Sequence, residues 1–246
     1  MSTVIALHSS GMSGRQWRSL GERLGSDHRV VTPDFIGSGS NPPWPADQPF
    51  HFRQDLEALK KLIVAEDERV HLVGHSYGGF LTLQLLLDEA TRARVRSIAV
   101  YDPVAFGVLD DRPDADLPFD DATGGDEAWF RVFVEWWNGA GAWDALPPPS
   151  RAQFLKVGRK VYFEVKSLVL DETPASAYAP FTGRALVMNG AKTPAPARKV
   201  GEILAAALPN AERIVVEGAG HMGPLTHGTI VNDAIASHLA KVPLEK

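Results

Sequence analysis

Cysteine is absent from this chain of 246 residues. That absence excludes a disulfide framework, a thiolate metal site and a cysteine nucleophile. An excess of basic charge is also missing, since 25 Lys and Arg stand against 30 Asp and Glu, for a net charge of -5. This balance gives no electrostatic reason to bind nucleic acid or an anionic membrane. Long apolar runs are lacking too. The densest one, Phe80 to Leu87, is interrupted by Thr82 and Gln84. It falls far short of the roughly 20 residues that cross a bilayer. The stretch Met1 to His8 has no basic region ahead of its short apolar run, so it does not read as a secretory signal. The expectation is a soluble, cytoplasmic protein that acts on a small molecule and binds neither nucleic acid nor membrane. A homodimer is left open.

What is present is an ordinary globular composition, 44% apolar and 22% charged. A chain of this size buries roughly 70–75% of its unfolded surface without staples. Two periodicities alternate along it. Val4 to His8, Arg29 to Thr32, Val70 to Val73 and Val95 to Tyr101 are short apolar runs that read as buried strands. Between them, Trp17, Leu20 and Leu24 mark one helical face, and Phe52, Leu56, Leu59 and Ile63 mark another. Tyr77 to Asp88 is apolar nearly all round and predicts a buried helix. The rhythm then breaks from about Pro103 to Pro180, a stretch holding four of the six tryptophans. Helices are expected there at Asp126 to Asn138, at Arg151 to Val169 and near Pro174. A strand at Ala185 to Met188, a helix at Arg198 to Leu208, a strand at Arg213 to Val216 and a helix at Ile230 to Leu239 resume the alternation. Strands alternating with helices predict a mainly parallel sheet of about six strands, covered on both faces. Ligands of such sheets lie beyond the carboxyl ends of the strands.

The third strand runs through Gly74-His75-Ser76-Tyr77-Gly78 directly into a helix. A G-x-S-x-G string is weak evidence alone, but between strand and helix it describes a nucleophile elbow. Gly74 and Gly78 allow neighbouring backbone to approach, and the helix start favours negative charge beside Ser76. A serine hydroxyl needs a base near neutral pH, and histidine is the natural one. His221 lies in Gly218-Ala219-Gly220-His221-Met222-Gly223-Pro224, after the last strand. His75 should point beneath the elbow, while His28, His51, His71, His227 and His238 read as surface or helix-end residues. Carboxylates do not cluster with the histidines, so no metal site is expected. No cofactor is implied. The run Asp110-Asp111-Arg112-Pro113-Asp114-Ala115-Asp116 reads as a solvated loop, lacking the Gly and terminal Glu of a calcium loop.

On these residues the chain resembles the α/β-hydrolase fold superfamily over nearly its whole length. The resemblance implies an α/β-hydrolase core at 1–103 and 181–246, without the two leading strands, and a helical cap at 104–180. It implies that Ser76 is the nucleophile and His221 the base. His8 matches the histidine that steadies the family's oxyanion loop, and Asp34 matches a structural turn aspartate. The oxyanion donors it implies are the backbone N–H groups of Tyr77 and of Ser10, although Ser9 stands where the family usually has glycine. The family's usual acid follows the penultimate strand, and Thr193 occupies that position here. A subgroup with Tyr101-Asp102-Pro103-Val104-Ala105-Phe106, Thr193-Pro194 and the His221 loop instead implies Asp102 as the acid. The other reading of Asp102 is a turn cap before Pro103. Ser9, Met12, Phe106, Trp136, Trp137, Trp143, Tyr162 and Met222 are the pocket candidates. The implied activity is that of a serine carboxylesterase on a small, fairly apolar ester. Lactone, amide or C–C bond hydrolysis, or ligand binding without catalysis, stay open as alternatives.

Overall fold

The computed structural model describes residues 1–110 and 119–242. Its strands are β1 (Ser2–Leu7), β2 (His28–Val31), β3 (Val70–His75), β4 (Val95–Tyr101), β5 (Arg184–Gly190) and β6 (Ala211–Val216). They form one six-stranded sheet in the order β2-β1-β3-β4-β5-β6, with every pairing parallel. The helices are α1 (Arg18–Leu24), α2 (Phe52–Val64), α3 (Tyr77–Leu85), α4 (Glu89–Ala93), α5 (Glu127–Asn138), α6 (Ala142–Ala145), α7 (Pro148–Lys156), α8 (Gly158–Val169), α9 (Ala195–Ala207), α10 (Gly223–Thr226) and α11 (Gly228–Ala240).

The two-residue period of the strands divides their side chains between two cores. Val4, Ala6, Val73, Ala99, Leu186 and Met188 pack with Leu20 of α1 and Val231 and Ile235 of α11. Ile5, Leu7, Leu72, Ile98, Val100 and Val187 pack with α2, α3 and α9 on the opposite face. Since both faces are covered, the inner strands β1, β3, β4 and β5 are buried almost along their whole length, whereas the edge strands β2 and β6 are partly exposed. Each fully buried Leu, Ile or Phe contributes roughly 1.5–3 kcal/mol of apolar burial. The amphipathic face of α2 follows its sequence spacing. The helix is entered through a capping box, in which the His51 N–H donates to Gln54 Oε1 and the His51 ring accepts from the Arg53 N–H.

Among the described residues, four α-helices, α5 to α8, lie between β4 and β5. They have their own aromatic core of Trp129, Phe130, Trp143, Val161 and Tyr162, while Trp137 and Leu168 join the core under the sheet. Two expected helices are divided. The helix after Ser76 stops at Leu85, because Asp88 turns its carboxylate back onto the Thr91 N–H and starts α4. The helix expected from Arg151 to Val169 breaks at Gly158, where a Cβ would come within 2.1 Å of the Gly125 carbonyl oxygen. That break separates α7 from α8. His71 and His238, expected at the surface or at helix ends, are buried instead. Strand β3 and helix α11 turn them inward, and burial lowers their pKa values to about 3 and about 4. Asp111 to Asp116 of the acidic run lie outside the described residues. No helix among the described residues is long and apolar enough to cross a membrane.

Candidate active site

The sheet brings the carboxyl ends of β1, β3, β4 and β5 to one edge. Ser76 stands there, between the last residue of β3 and the first of α3, with φ +55°. Asp102 follows β4 with φ +42°, and these are the two non-glycine residues with positive φ among the described residues. Such backbone costs on the order of 1–3 kcal/mol and persists where its surroundings fix it. Here the Ser76 N–H donates to the Tyr101 carbonyl, and the Asp102 N–H donates to the Met188 carbonyl of β5. The flanking glycines are required by contact. A Cβ on Gly74 would meet the Gly78 carbonyl oxygen at 2.4 Å, and one on Gly78 would meet the Leu7 carbonyl oxygen at 2.3 Å.

The structure brings Ser76, His221 and Asp102 into one row. Ser76 Oγ is 3.0 Å from His221 Nε2, and His221 Nδ1 is 3.1 Å from Asp102 Oδ2. All three residues are buried. An ionised carboxylate only accepts hydrogen bonds, so Nδ1 carries the ring proton and Nε2 accepts from the serine. Asp102 is fully enclosed and has two further donors, Thr193 Oγ1 at 2.7 Å to Oδ2 and Asn189 Nδ2 at 2.9 Å to Oδ1. The threonine at the usual acid position is therefore a hydrogen-bond donor to the carboxylate on β4.

The loop carrying His221 is held from below. The His75 ring lies beneath it, and its Nε2 donates to the His221 carbonyl at 2.8 Å. His75 Nδ1 then accepts from Gln16 Nε2 at 3.1 Å, and Gln16 Oε1 accepts from the Ser9 N–H at 3.0 Å and the Ser9 hydroxyl at 3.2 Å. Burial keeps His75 well below the usual imidazole range, so it stays neutral and can serve as both donor and acceptor. Tyr101 adds a bond from its hydroxyl to the Gly220 carbonyl at 2.8 Å. His8 Nδ1 donates to the Ser9 carbonyl at 2.7 Å, and His8 Nε2 accepts from the Phe35 N–H at 3.3 Å. Burial depresses the His8 pKa to about 4. Asp34 accepts from the Gly14 and Ser40 N–H groups, as a turn aspartate does.

Neither the Ser10 nor the Tyr77 N–H is spent on a turn or loop hydrogen bond. Tyr77 opens α3, where an N–H has no helical acceptor. The Trp137 ring stacks on His221 with centroids 3.6 Å apart and planes inclined at 18°. Trp136 meets Trp137 edge-on at 4.5 Å, and Phe106 follows at 6.3 Å from Trp136. Ser9 is buried with its hydroxyl on Gln16, while Met12 and Met222 are half-buried. Two pocket candidates lie elsewhere. Trp143 stacks on Phe130 and donates from Nε1 to Glu127, and Tyr162 donates from its hydroxyl to Asp121. Both are fully buried within the core of the α5–α8 segment, because their polar atoms find partners there.

Sequence reasoning missed Asn189, Gln16 and a buried cluster of Asp55, Lys160 and Glu164. A Lys and a Glu four residues apart among apolar neighbours in α8 were the available signal for that cluster. His71 and His75 also stand four apart, but on a strand, where this spacing separates them by roughly 13 Å. No group of three or more metal-ligating side chains occurs among the described residues.

Residues 4–234 match the model of the alpha/beta hydrolase family, and the chain belongs to that family. Among curated relatives, a putative carbamate hydrolase RutD of Klebsiella pneumoniae is 26% identical, over 96% of this chain and 91% of that protein. A pimeloyl-[acyl-carrier protein] methyl ester esterase of Aeromonas salmonicida is 26% identical over 36% of this chain, and the match spans only 34% of that relative's length. Among solved structures, a bromoperoxidase of Bacillus anthracis superposes with a TM-score of 0.77 at 20% identity, covering 98% of this chain and 92% of that one. At that identity the likeness concerns the fold alone.

Proposed function

We propose that this chain is a serine hydrolase that cleaves a small, fairly apolar carboxylic ester through an acyl-enzyme. One observation carries the reading: a serine on strained backbone lies 3.0 Å from an imidazole whose other nitrogen faces a buried carboxylate. In this mechanism Ser76 Oγ attacks the ester carbonyl carbon while His221 Nε2 takes the hydroxyl proton. Asp102 holds the imidazole in the receptive tautomer and offsets the charge of the imidazolium. The carbonyl oxygen becomes an oxyanion between the Ser10 and Tyr77 N–H groups, each donor contributing about 10²- to 10³-fold in rate. As the C–O bond to the alcohol breaks, His221 returns the proton to the leaving oxygen. Water then repeats the sequence on the acyl-enzyme, releasing the acid and regenerating Ser76.

The segment at 104–180 acts in this reading as a cap over the core of 1–103 and 181–246. Its contribution at the chemistry is Trp137, whose ring shields one face of His221. A carbamate is the second substrate class, supported by the Klebsiella relative that matches nearly the full length of both chains. The test has two arms. A fluorophosphonate probe is expected to label the wild type and not Ser76→Ala. A panel of p-nitrophenyl esters graded by acyl length, with a carbamate, a lactone and an amide, then ranks substrates by kcat/KM. An unlabelled wild type that turns over nothing on the panel overturns the reading in favour of ligand binding.

A further inference from the structure

One N–H group read above as an oxyanion donor belongs to Tyr77, whose side chain reaches a buried charge cluster. The Tyr77 hydroxyl donates to Asp55 Oδ2 at 2.9 Å. Lys160 Nζ joins two carboxyls, donating to Asp55 Oδ2 at 3.0 Å and to Glu164 Oε1. Asp55 Oδ1 is fixed in turn by the Ile36 N–H at 2.9 Å. The side chains of Lys160, Asp55 and Glu164 are no more than 2% exposed. Lys160 Nζ also lies 4.4 Å from the centre of the Phe50 ring and 5.6 Å from that of Tyr77.

A buried ion cluster is poor evidence of stability, because apolar residues of similar volume often serve as well. Its use is better sought in what it holds. Asp55 lies on α2 and Tyr77 on α3, whereas Lys160 and Glu164 come from α8 in the segment between β4 and β5. One ammonium thus ties the Tyr77 side of the proposed oxyanion hole to that segment. Preorganised donors stabilise charge only while they are held where it develops. A displacement of about 1 Å costs up to about 10²-fold in rate.

We propose that Asp55, Lys160 and Glu164 are positioning residues for the oxyanion hole, setting the Tyr77 N–H through the Tyr77 side chain. The inference rests on the serine-hydrolase reading, and it makes the α8 segment part of the machinery that stabilises the transition state. Burial pushes the Glu164 carboxyl above the usual carboxylate range, while Lys160 pulls it back. The clamp is therefore sensitive to loss of the lysine.

The experiment compares Tyr77→Phe, Lys160→Met and Glu164→Gln with the wild type. Activity is expressed per active site titrated with a fluorophosphonate, so misfolded protein does not count. Lys160→Met is expected to lower kcat about 10- to 100-fold, with KM within about 3-fold. Tyr77→Phe and Glu164→Gln should lower it less. A trifluoromethyl ketone, which forms a charged tetrahedral adduct with the serine, should lose affinity in parallel with kcat/KM. The matching methyl ketone should not. Asp55→Asn combined with Lys160→Met, where the amide oxygen still accepts from the Ile36 N–H, the amide NH₂ donates to the Tyr77 hydroxyl and no Asp55 charge is stranded, should recover part of kcat.

A purely structural cluster would reduce the number of titratable sites and leave kcat per site unchanged. If Lys160→Met does not fold, Tyr77→Phe decides, since it leaves the Lys160–Asp55 pair in place. Full kcat per site in Tyr77→Phe and in every folded variant overturns the inference while Ser76→Ala is still dead. A wild type that neither labels nor hydrolyses overturns the serine-hydrolase reading itself.

Discussion

Replacing Asp102 by Asn tests the row of Ser76, His221 and Asp102 with little disturbance of the fold. The new amide has a fixed orientation. Asn189 Nδ2 donates to Asp102 Oδ1 and toward the Ala197 carbonyl, and Asn189 Oδ1 lies against Gly201, where a Cβ would stand 2.0 Å away. A flip of Asn189 would set its oxygen against the Ala197 carbonyl. The new residue must therefore present its carbonyl to Asn189 and its NH₂ to Thr193 and His221. Thr193 can turn its hydroxyl to accept, so the number of hydrogen bonds is kept. His221 Nδ1 must become an acceptor, which moves the ring proton to Nε2, where it donates to Ser76 instead of taking its proton. The variant also loses the attraction between imidazolium and carboxylate. At 3.1 Å and an effective dielectric of ~20 that attraction is about 5 kcal/mol, or nearly 10⁴-fold in rate. The assay is kcat/KM for a p-nitrophenyl ester, with thermal unfolding followed in parallel. We expect a loss of about 10⁴-fold with Tm nearly unchanged. A variant within tenfold of the wild type would refute the assignment of Asp102, and a collapsed Tm would refute the argument that its hydrogen bonds are conserved.

Three further outcomes follow from the same geometry. Trp137→Leu keeps an apolar cover on His221 but removes the ring face toward the imidazolium, a contact of roughly 0.5–2 kcal/mol. kcat/KM should fall about 3- to 30-fold, with Trp137→Phe in between, and a faster Leu variant would mean that the tryptophan only obstructs. Stability should fall in acid, because His8, His71 and His238 stay neutral when folded down to about 4, 3 and 4. The unfolded chain takes up those protons below its own value of about 6.5. Each buried histidine then subtracts about 1.4 kcal/mol per pH unit between that value and its folded one, with no effect above it. A urea midpoint that does not move between pH 7 and pH 5 would contradict this. Thr193→Asp sets a second carboxylate against Asp102 and should lower both Tm and kcat. Adding Asp102→Ser should restore part of each, and no recovery in the pair would show that the acid serves from β4 alone.

The parts legible in the sequence were those with short-range signals. All six expected strands are present, and the inner ones were legible as apolar runs because both faces of the sheet are covered. The G-x-S-x-G string marked a turn that sterics alone require. What escaped depends on contacts between distant residues. The break between α7 and α8 comes from Gly158 meeting Gly125, and nothing local in Arg151 to Val169 encodes it. His71 lies in a strand buried on both faces, so a polar residue there takes Ser97 as its partner instead of water. Lys160 and Glu164 have the i, i+4 spacing of a solvated surface pair. Only the packing of α8 onto α2 and α3 turns them inward. Trp143 and Tyr162 illustrate the converse. A segment with its own aromatic core uses most of its rings for itself, and composition does not tell which few face the site.

The position of the acid shows how a family arrangement is kept when its residues change. Asp102 follows β4 and Thr193 follows β5, and these two strands are hydrogen-bonded neighbours. The Asp102 N–H is itself bonded to the Met188 carbonyl of β5. At positive φ the Asp102 carboxylate turns across this seam and meets the Thr193 hydroxyl at 2.7 Å. The space beside His221 Nδ1 is therefore reachable from either strand, and the imidazole needs only an acceptor there. Once the carboxylate comes from β4, the residue after β5 is no longer needed as an acid, but it borders a buried charge that requires donors. Threonine meets that need with one hydroxyl, and Asn189 supplies the second donor. The threonine thus completes the solvation of the Asp102 carboxylate, so in the proposed mechanism its presence does not imply a broken site.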